Sequence, residues 1–249
     1  MEALKRAIPE GLRRWLSRKR FELGRKSLWA DRVTDFSVLR RVTPYRPAFG
    51  WYRGECLDRY YIAKFLEAHA RDISGHVLEV AEPMYTLRFG ANRVAASDVI
   101  DLDRENSKAT IFDDLTSAAS IPDRTYDCIL CTQTLLCIYD FQAAIRTMHR
   151  ILKPGGVLLV TVPGIAQLCP ASMMGAGADY WRFTSHSAEI AFNAVFGKEN
   201  VSIETFGNVL TAVGMLHGLV SKEFDNAELD HHDPDYEVTI AIRAVRGAP

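Results

Sequence analysis

The run VLLVTV, Val157 to Val162, most constrains the fold. An apolar run this short and this continuous is buried as a strand covered on both faces. A helical pattern precedes it over Phe141 to Leu152, with Ala144, Ile145, Met148, Ile151 and Leu152 on one side. LKPGG between the two reads as a helix stop followed by a turn. Upstream lie HVLEV (His76 to Val80), RVAASDV (Arg93 to Val99), a weak strand at Ala109 to Phe112, and a strand centred on Cys128 to Cys131. Helical patterns alternating with buried strands predict an α/β fold with a largely parallel sheet.

The 249 residues allow one large domain with an appendage. A hydrophobic fraction of 48% and a charged fraction of 24% are those of a globular chain with a sizeable core. A formal net charge of −1 gives no overall basicity toward nucleic acid. No apolar run reaches the roughly 20 residues that span a bilayer. No secretory leader is read at the N-terminus, and a cytoplasmic protein is expected. Five cysteines show no disulfide framework, and Cys128 and Cys131 read as buried strand residues.

Residues 1–50 are expected to form a basic helical extension and a loop, with the main domain over 51–249. Leu12, Trp15, Leu16 and Leu23 recur at helical spacing among many Arg and Lys. This is read as an amphipathic helix packed on the domain, with membrane-surface contact through residues 1–30 as the less favoured reading. Asp58 is expected to cap a helix through RYYIAKFLEAHARDI. Past Pro163 come an irregular stretch from Gly164 to Phe183, a helix near Ala188 to Phe196, the strand VSIETF, a helix over Val209 to Val220, and the final strand YEVTIAIRAV.

The block YDCILCTQTLLCIYDFQAAIRTMHRILKPGGVLLVTVPG, Tyr126 to Gly164, resembles the class I methyltransferases that use S-adenosylmethionine. RGECLDRYYIAKFLEAH, the YT…FG of Tyr85 to Gly90, and DYWRFTSHSAEIAF extend the resemblance over roughly residues 50–245. They are similar to a methyltransferase type 11-like subgroup often found beside glycosyltransferases and glycan-tailoring enzymes. The resemblance implies a Rossmann-like sheet of seven strands, the last antiparallel, with helices on both faces. It implies methyl transfer from S-adenosylmethionine to a small-molecule or carbohydrate acceptor, with O-methylation of a sugar or natural product favoured. A homo-oligomer is compatible with it.

In such a sheet the cofactor sits beyond the carboxyl ends of the strands, where strand order reverses. That places Glu79 and Ala81, at the end of the first strand, beside it. Asp98, about 17 residues beyond Ala81, is the favoured acid for the ribose hydroxyls, with Asp101 and Asp103 as rivals. The resemblance assigns Asp114 and Leu115 to adenine, and Thr132 and Gln133 to the methionine portion or the acceptor. Glu82 favours the cofactor's positive charge, Tyr85 shields it, and Arg53 or Arg59 pairs with its carboxylate.

The sequence departs from the family where glycine is usual. Ala81 stands there, and Pro83 removes a backbone donor. Thr134, Leu135, Leu136 and Cys137 offer no base after the fourth strand, where many relatives carry His or Glu. Acceptor-side chemistry is therefore expected from Asp179, Tyr180 and Arg182, following the GAGA run, and from His217. No metal is expected, although His231, His232 and Asp233 stand together. Two alternatives stay open: a methyltransferase fold turned to cyclase or isomerase chemistry, and a non-catalytic partner that has lost the cofactor.

Overall fold

The computed structural model describes residues 40–169 and 178–248. The extension read over residues 1–30 lies outside them. The domain begins at Thr43, and its elements are named here in chain order. They are α1 (Leu57–Ala68), β1 (Gly75–Val80), β2 (Val94–Asp101), β3 (Ile111–Phe112), β4 (Tyr126–Thr132), α2 (Phe141–Ile151) and β5 (Leu152–Pro163). After these come α3 (Ser185–Phe196), β6 (Val201–Phe206), α4 (Val209–Leu216), α5 (Asn226–Asp230) and β7 (Thr239–Val245).

The seven strands run in the order β3-β2-β1-β4-β5-β7-β6. β1 to β5 pair in parallel, while β7 is antiparallel to both neighbours. This is the sheet expected from the sequence. The strand pleat divides the core between two faces. Leu78, Ile129 and Leu158 pack with Ala144, Ile145, Met148 and Ile151 of α2 and Phe192 of α3. Val77, Cys128, Leu130 and Leu159 pack with Ile62, Phe65 and Leu66 of α1 on the other. Cys128 and Cys131 thus belong to different clusters, which suits buried strand residues and not a shared metal or redox pair.

Several boundaries move. LKPGG is already part of β5, whose pairing with β4 shifts register after Tyr126↔Leu152, with Gly155 at φ +79° turning the chain. α1 opens one residue before Asp58. Its N-cap is Cys56, which makes no side-chain capping bond, so Asp58 stands in the first turn and not at the cap. α4 stops at Leu216 because Gly218 takes a left-handed φ of +69°. β2 continues past Val99 to Asp101, with Val99 and Ile100 buried.

Residues 45–56 form a strap on the C-terminal part of the domain. The Arg46 amide donates to the His217 carbonyl, the Ser221 amide to Glu55, and Arg53 pairs with Glu223 at 2.6 Å. A Cβ on Gly50 would lie 2.1 Å from the Gly218 carbonyl oxygen, so glycine is required for this approach. Among the described residues no helix is long and apolar enough to cross a membrane.

Candidate active site

A cleft of about 600 Å³ opens beyond the carboxyl ends of β1, β4 and β5. Strand order reverses between β1 and β4, the place where open α/β sheets bind ligands. Ala81 and Glu82 form its edge after β1, Thr132 to Thr134 its floor after β4, and Pro163, Ala166 and Gln167 a side after β5. The strap supplies Phe49, Trp51 and Cys56, and α1 supplies Asp58 and Arg59.

The loop after β1 is fixed by Glu79. Its carboxylate is buried and accepts the Tyr85 amide at 3.0 Å and the Thr86 amide at 2.7 Å. Burial raises its pKa against the opposing pull of these bonds. Glu79 therefore holds the turn rather than facing a ligand with free oxygens. Ala81 takes φ +68°, the left-handed region where glycine is favoured. Asn106 donates to its carbonyl at 2.7 Å, and its amide donates to Ile100 at 3.0 Å. An L-residue in that region is strained by about 1–2 kcal/mol, partly offset by the backbone entropy that glycine loses on folding. Ala81→Gly is accordingly expected to stabilise the fold by roughly 0.5–1 kcal/mol, read as an upward shift in thermal midpoint. An unchanged or lower midpoint would mean that the loop's bonds relieve the strain.

A family described as "Methyltransferase domain" matches residues 49–192. The chain belongs to this methyltransferase family. The family's cofactor is S-adenosylmethionine. A SAM dependent methyltransferase from Archaeoglobus fulgidus superposes with a TM-score of 0.52 at 14% identity, over 78% of this chain and 96% of that one. The "Ubiquinone/menaquinone biosynthesis C-methyltransferase UbiE" of Enterobacter sp. (strain 638) is 49% identical over 43 residues, 17% of each chain. The same-named protein of Escherichia coli O1:K1 / APEC matches to the same extent. The alignment therefore spans under a fifth of these curated relatives.

The methyltransferase cleft fits its cofactor in one testable respect. Gln133 Nε2 and Gln167 Nε2 are buried without a hydrogen-bond partner among the described residues. Both side chains line the cleft. Unmet buried polar groups cost about 1–3 kcal/mol each, a demand that a polar ligand removes. Gln133 is held there by φ +48° and by its amide bond to Thr161.

Of the residues expected around the cofactor, Arg59, Glu79, Ala81, Glu82, Tyr85, Thr132 and Gln133 line this cleft. Glu82 is paired with Lys108 at 2.5 Å, so its charge is already answered. Arg53 is outside, spent on Glu223. Asp98 is also displaced, because β2 runs three residues further and leaves it mid-strand opposite Leu78. There it accepts from His76 Nε2 at 2.7 Å, Thr110 at 3.0 Å and Tyr126 at 3.1 Å. Burial opposes ionisation of Asp98, but these three donors hold its pKa below the usual value. Asp101 occupies the strand end instead and pairs across to Phe112 of β3. Asp114 is exposed just past β3, and its carboxylate accepts the Thr116 amide. The Leu115 side chain is buried in the core.

The acceptor-side expectations change most. Asp179 and Arg182 line the cleft but grip each other in a two-pronged ion pair. Arg182 also donates to the carbonyls of Ala166, Gln167 and Trp181, and Asp179 accepts the Cys169 amide. They form a clamp joining residues 165–169 to 179–182, not a free acid and base. Burial alone would raise the pKa of Asp179, but Arg182 and the Cys169 amide hold it low, which makes it a poor proton acceptor. Tyr180 points to an exposed aromatic group with Tyr139. Trp181 donates to the Ile138 and Tyr139 carbonyls, and Phe183 is buried. His217 caps the end of α4, 4.9 Å from the Tyr45 ring and outside the cleft lining.

Asp58 was read from sequence only as a cap, yet its side chain lines the cleft. Cys56 and Cys137 line it too, and burial pushes both thiols up to about 11, so neither is a thiolate nucleophile near neutral pH. His232 is engaged with Thr205 at 2.8 Å. Among the described residues no group of three or more His, Cys, Asp or Glu is arranged to hold a metal ion.

Proposed function

We propose that the protein transfers a methyl group from S-adenosylmethionine to a hydroxyl of a small molecule, with a sugar or a glycosylated natural product as the acceptor class. The observation that carries this is the cleft itself. It lies at the reversal of strand order and holds the unpartnered Gln133 and Gln167 amides in the same lining as Phe49 and Trp51.

When bound, S-adenosylmethionine supplies an electrophilic methyl group. Asp101 is suited to accept from the ribose hydroxyls. Its two oxygens each take one bond, from the Asp103 amide and Asn106, and a carboxylate has room for more. Leu102, exposed immediately after it, offers an apolar surface to the base, and Asp114 an acceptor for its amino group. Arg59, in the cleft lining, is the guanidinium we assign to the cofactor carboxylate. Trp51, 60% exposed at the cleft, offers a flat face to a sugar ring.

Calorimetric titration with S-adenosylmethionine tests the reading. Wild type is expected to bind. Asp101→Ala is expected to weaken binding by roughly tenfold or more through loss of charge-assisted hydrogen bonds. Asp98→Ala is expected to leave affinity within about threefold while lowering stability, because its partners are internal. Absence of binding by folded wild type would overturn the reading in favour of a fold that no longer uses the cofactor. Acceptors are then screened by mass spectrometry for the gain of one methyl group.

A further inference from the structure

We infer that Asp58 is the carboxylate that faces the reacting centre and takes the acceptor's proton; this rests on the methyl-transfer reading above. Four carboxylates line the cleft: Asp58, Glu79, Glu82 and Asp179. Three are committed elsewhere. Both oxygens of Glu79 accept backbone amides of the loop it holds. Both oxygens of Asp179 bind Arg182, and one also takes the Cys169 amide. Glu82 is paired with Lys108, and its side chain is 56% exposed, so water screens what charge remains.

Asp58 differs on both counts. Its side chain is 15% exposed. Oδ1 accepts only the adjacent Arg59 amide at 2.9 Å. Among the described residues Oδ2 has no hydrogen bond, and Arg59 Nε stands off at 3.9 Å, beyond bonding distance. Oδ2 therefore keeps lone pairs that no protein donor uses, and a ligand O–H can take them.

Position agrees with this. Asp58 is fixed on the first turn of α1, where the helix dipole favours its charge. It shares the cleft lining with Tyr85 after β1 and Cys169 after β5. The clamp and His217, expected to supply the chemistry, offer no open acceptor there.

The step balances without a further reactant. The acceptor oxygen forms the new bond to the methyl carbon as the carbon–sulfur bond breaks, its electron pair remaining on sulfur. The hydroxyl proton passes to Asp58 Oδ2. Positioning of the hydroxyl by the same oxygen aligns the attack.

The test needs no acceptor. S-adenosylhomocysteine lacks the methyl group, whereas sinefungin carries a primary ammonium in place of the methyl sulfonium. An Asp58 facing the reacting centre pairs with that ammonium. Wild type is expected to bind sinefungin roughly tenfold more tightly than S-adenosylhomocysteine by calorimetry near neutral pH. In Asp58→Asn the ratio is expected to fall toward one, with S-adenosylhomocysteine affinity changed less than about twofold. A wild type with no preference for sinefungin overturns the proposal without requiring any variant to fold. So does a variant that keeps the preference, or one that weakens both ligands equally, which would place Asp58 at the amino-acid end of the cofactor. Asp58→Ser repeats the comparison if Asn impairs folding. Wild type that binds neither ligand overturns the methyl-transfer reading as well, so the two failures are distinguishable.

Discussion

Glu79→Ala is expected to lower the unfolding free energy by about 3–5 kcal/mol and to abolish measurable cofactor binding. The Tyr85 and Thr86 amides would both lose their acceptor in a site from which water is excluded. Each buried donor left without a partner costs about 1–3 kcal/mol, more where the lost acceptor was charged. The same loss releases the loop that carries Ala81 and Tyr85, so affinity and stability fall together. Urea denaturation followed by circular dichroism gives the first quantity, and titration calorimetry the second. A loss under about 1 kcal/mol would show that the loop is held by other contacts.

Breaking the Asp179–Arg182 clamp is the second large effect. Arg182→Ala strands a carboxylate whose side chain is 5% exposed and removes the donor from three carbonyls. An unpaired buried charge of this kind costs about 3–5 kcal/mol. Asp179→Ala, Arg182→Ala and the double variant complete a mutant cycle. The double variant is expected to lose clearly less than the sum of the singles, because the pair acts as one unit. The pH dependence has a definite sign. The folded-state pKa of Asp179 lies below its ordinary value of 3.8, so the stability it contributes is present above that value. It is lost as the pH falls toward the depressed value. The stability gap between wild type and Asp179→Asn is thus expected to close on acidification below about 4. A gap constant through that range would mean that the ion pair contributes nothing to folding.

The architecture was legible because it rests on local pattern. VLLVTV, the α2 stripe and a final strand follow from pleat and helical periodicity, and the strand begins at Thr239, three residues later than read, while its antiparallel sense was implied by the family resemblance. The cleft's edge and floor were legible for a related reason: Ala81 and Gln133 follow strands whose ends the pattern marks. What could not be read was decided by partners distant in the chain. Asp98 looked like a strand end, but His76, Thr110 and Tyr126 satisfy it inside the sheet and let β2 run on to Asp101. DYWRFT looked like a substrate loop until Arg182 was seen to reach back to Ala166 and Gln167, some fifteen residues away. Asp58 gave no sign beyond a capping residue, since its exposure to the cleft depends on which segments fold over α1.

The strap pinned to residues 217–223 has an evolutionary consequence. One part of the cleft follows β1 and β4, whereas much of the opposing wall joins residues 49–59 to Met215 from near the other end of the chain. Under the proposed function, changes in the strap and in α4 would retune which molecule is admitted while the loops after β1 and β4 stay constant. A lineage can in this way exchange substrates without rebuilding its donor site, and grafting both segments together, not either alone, is the transplant that would carry acceptor preference from one relative to another.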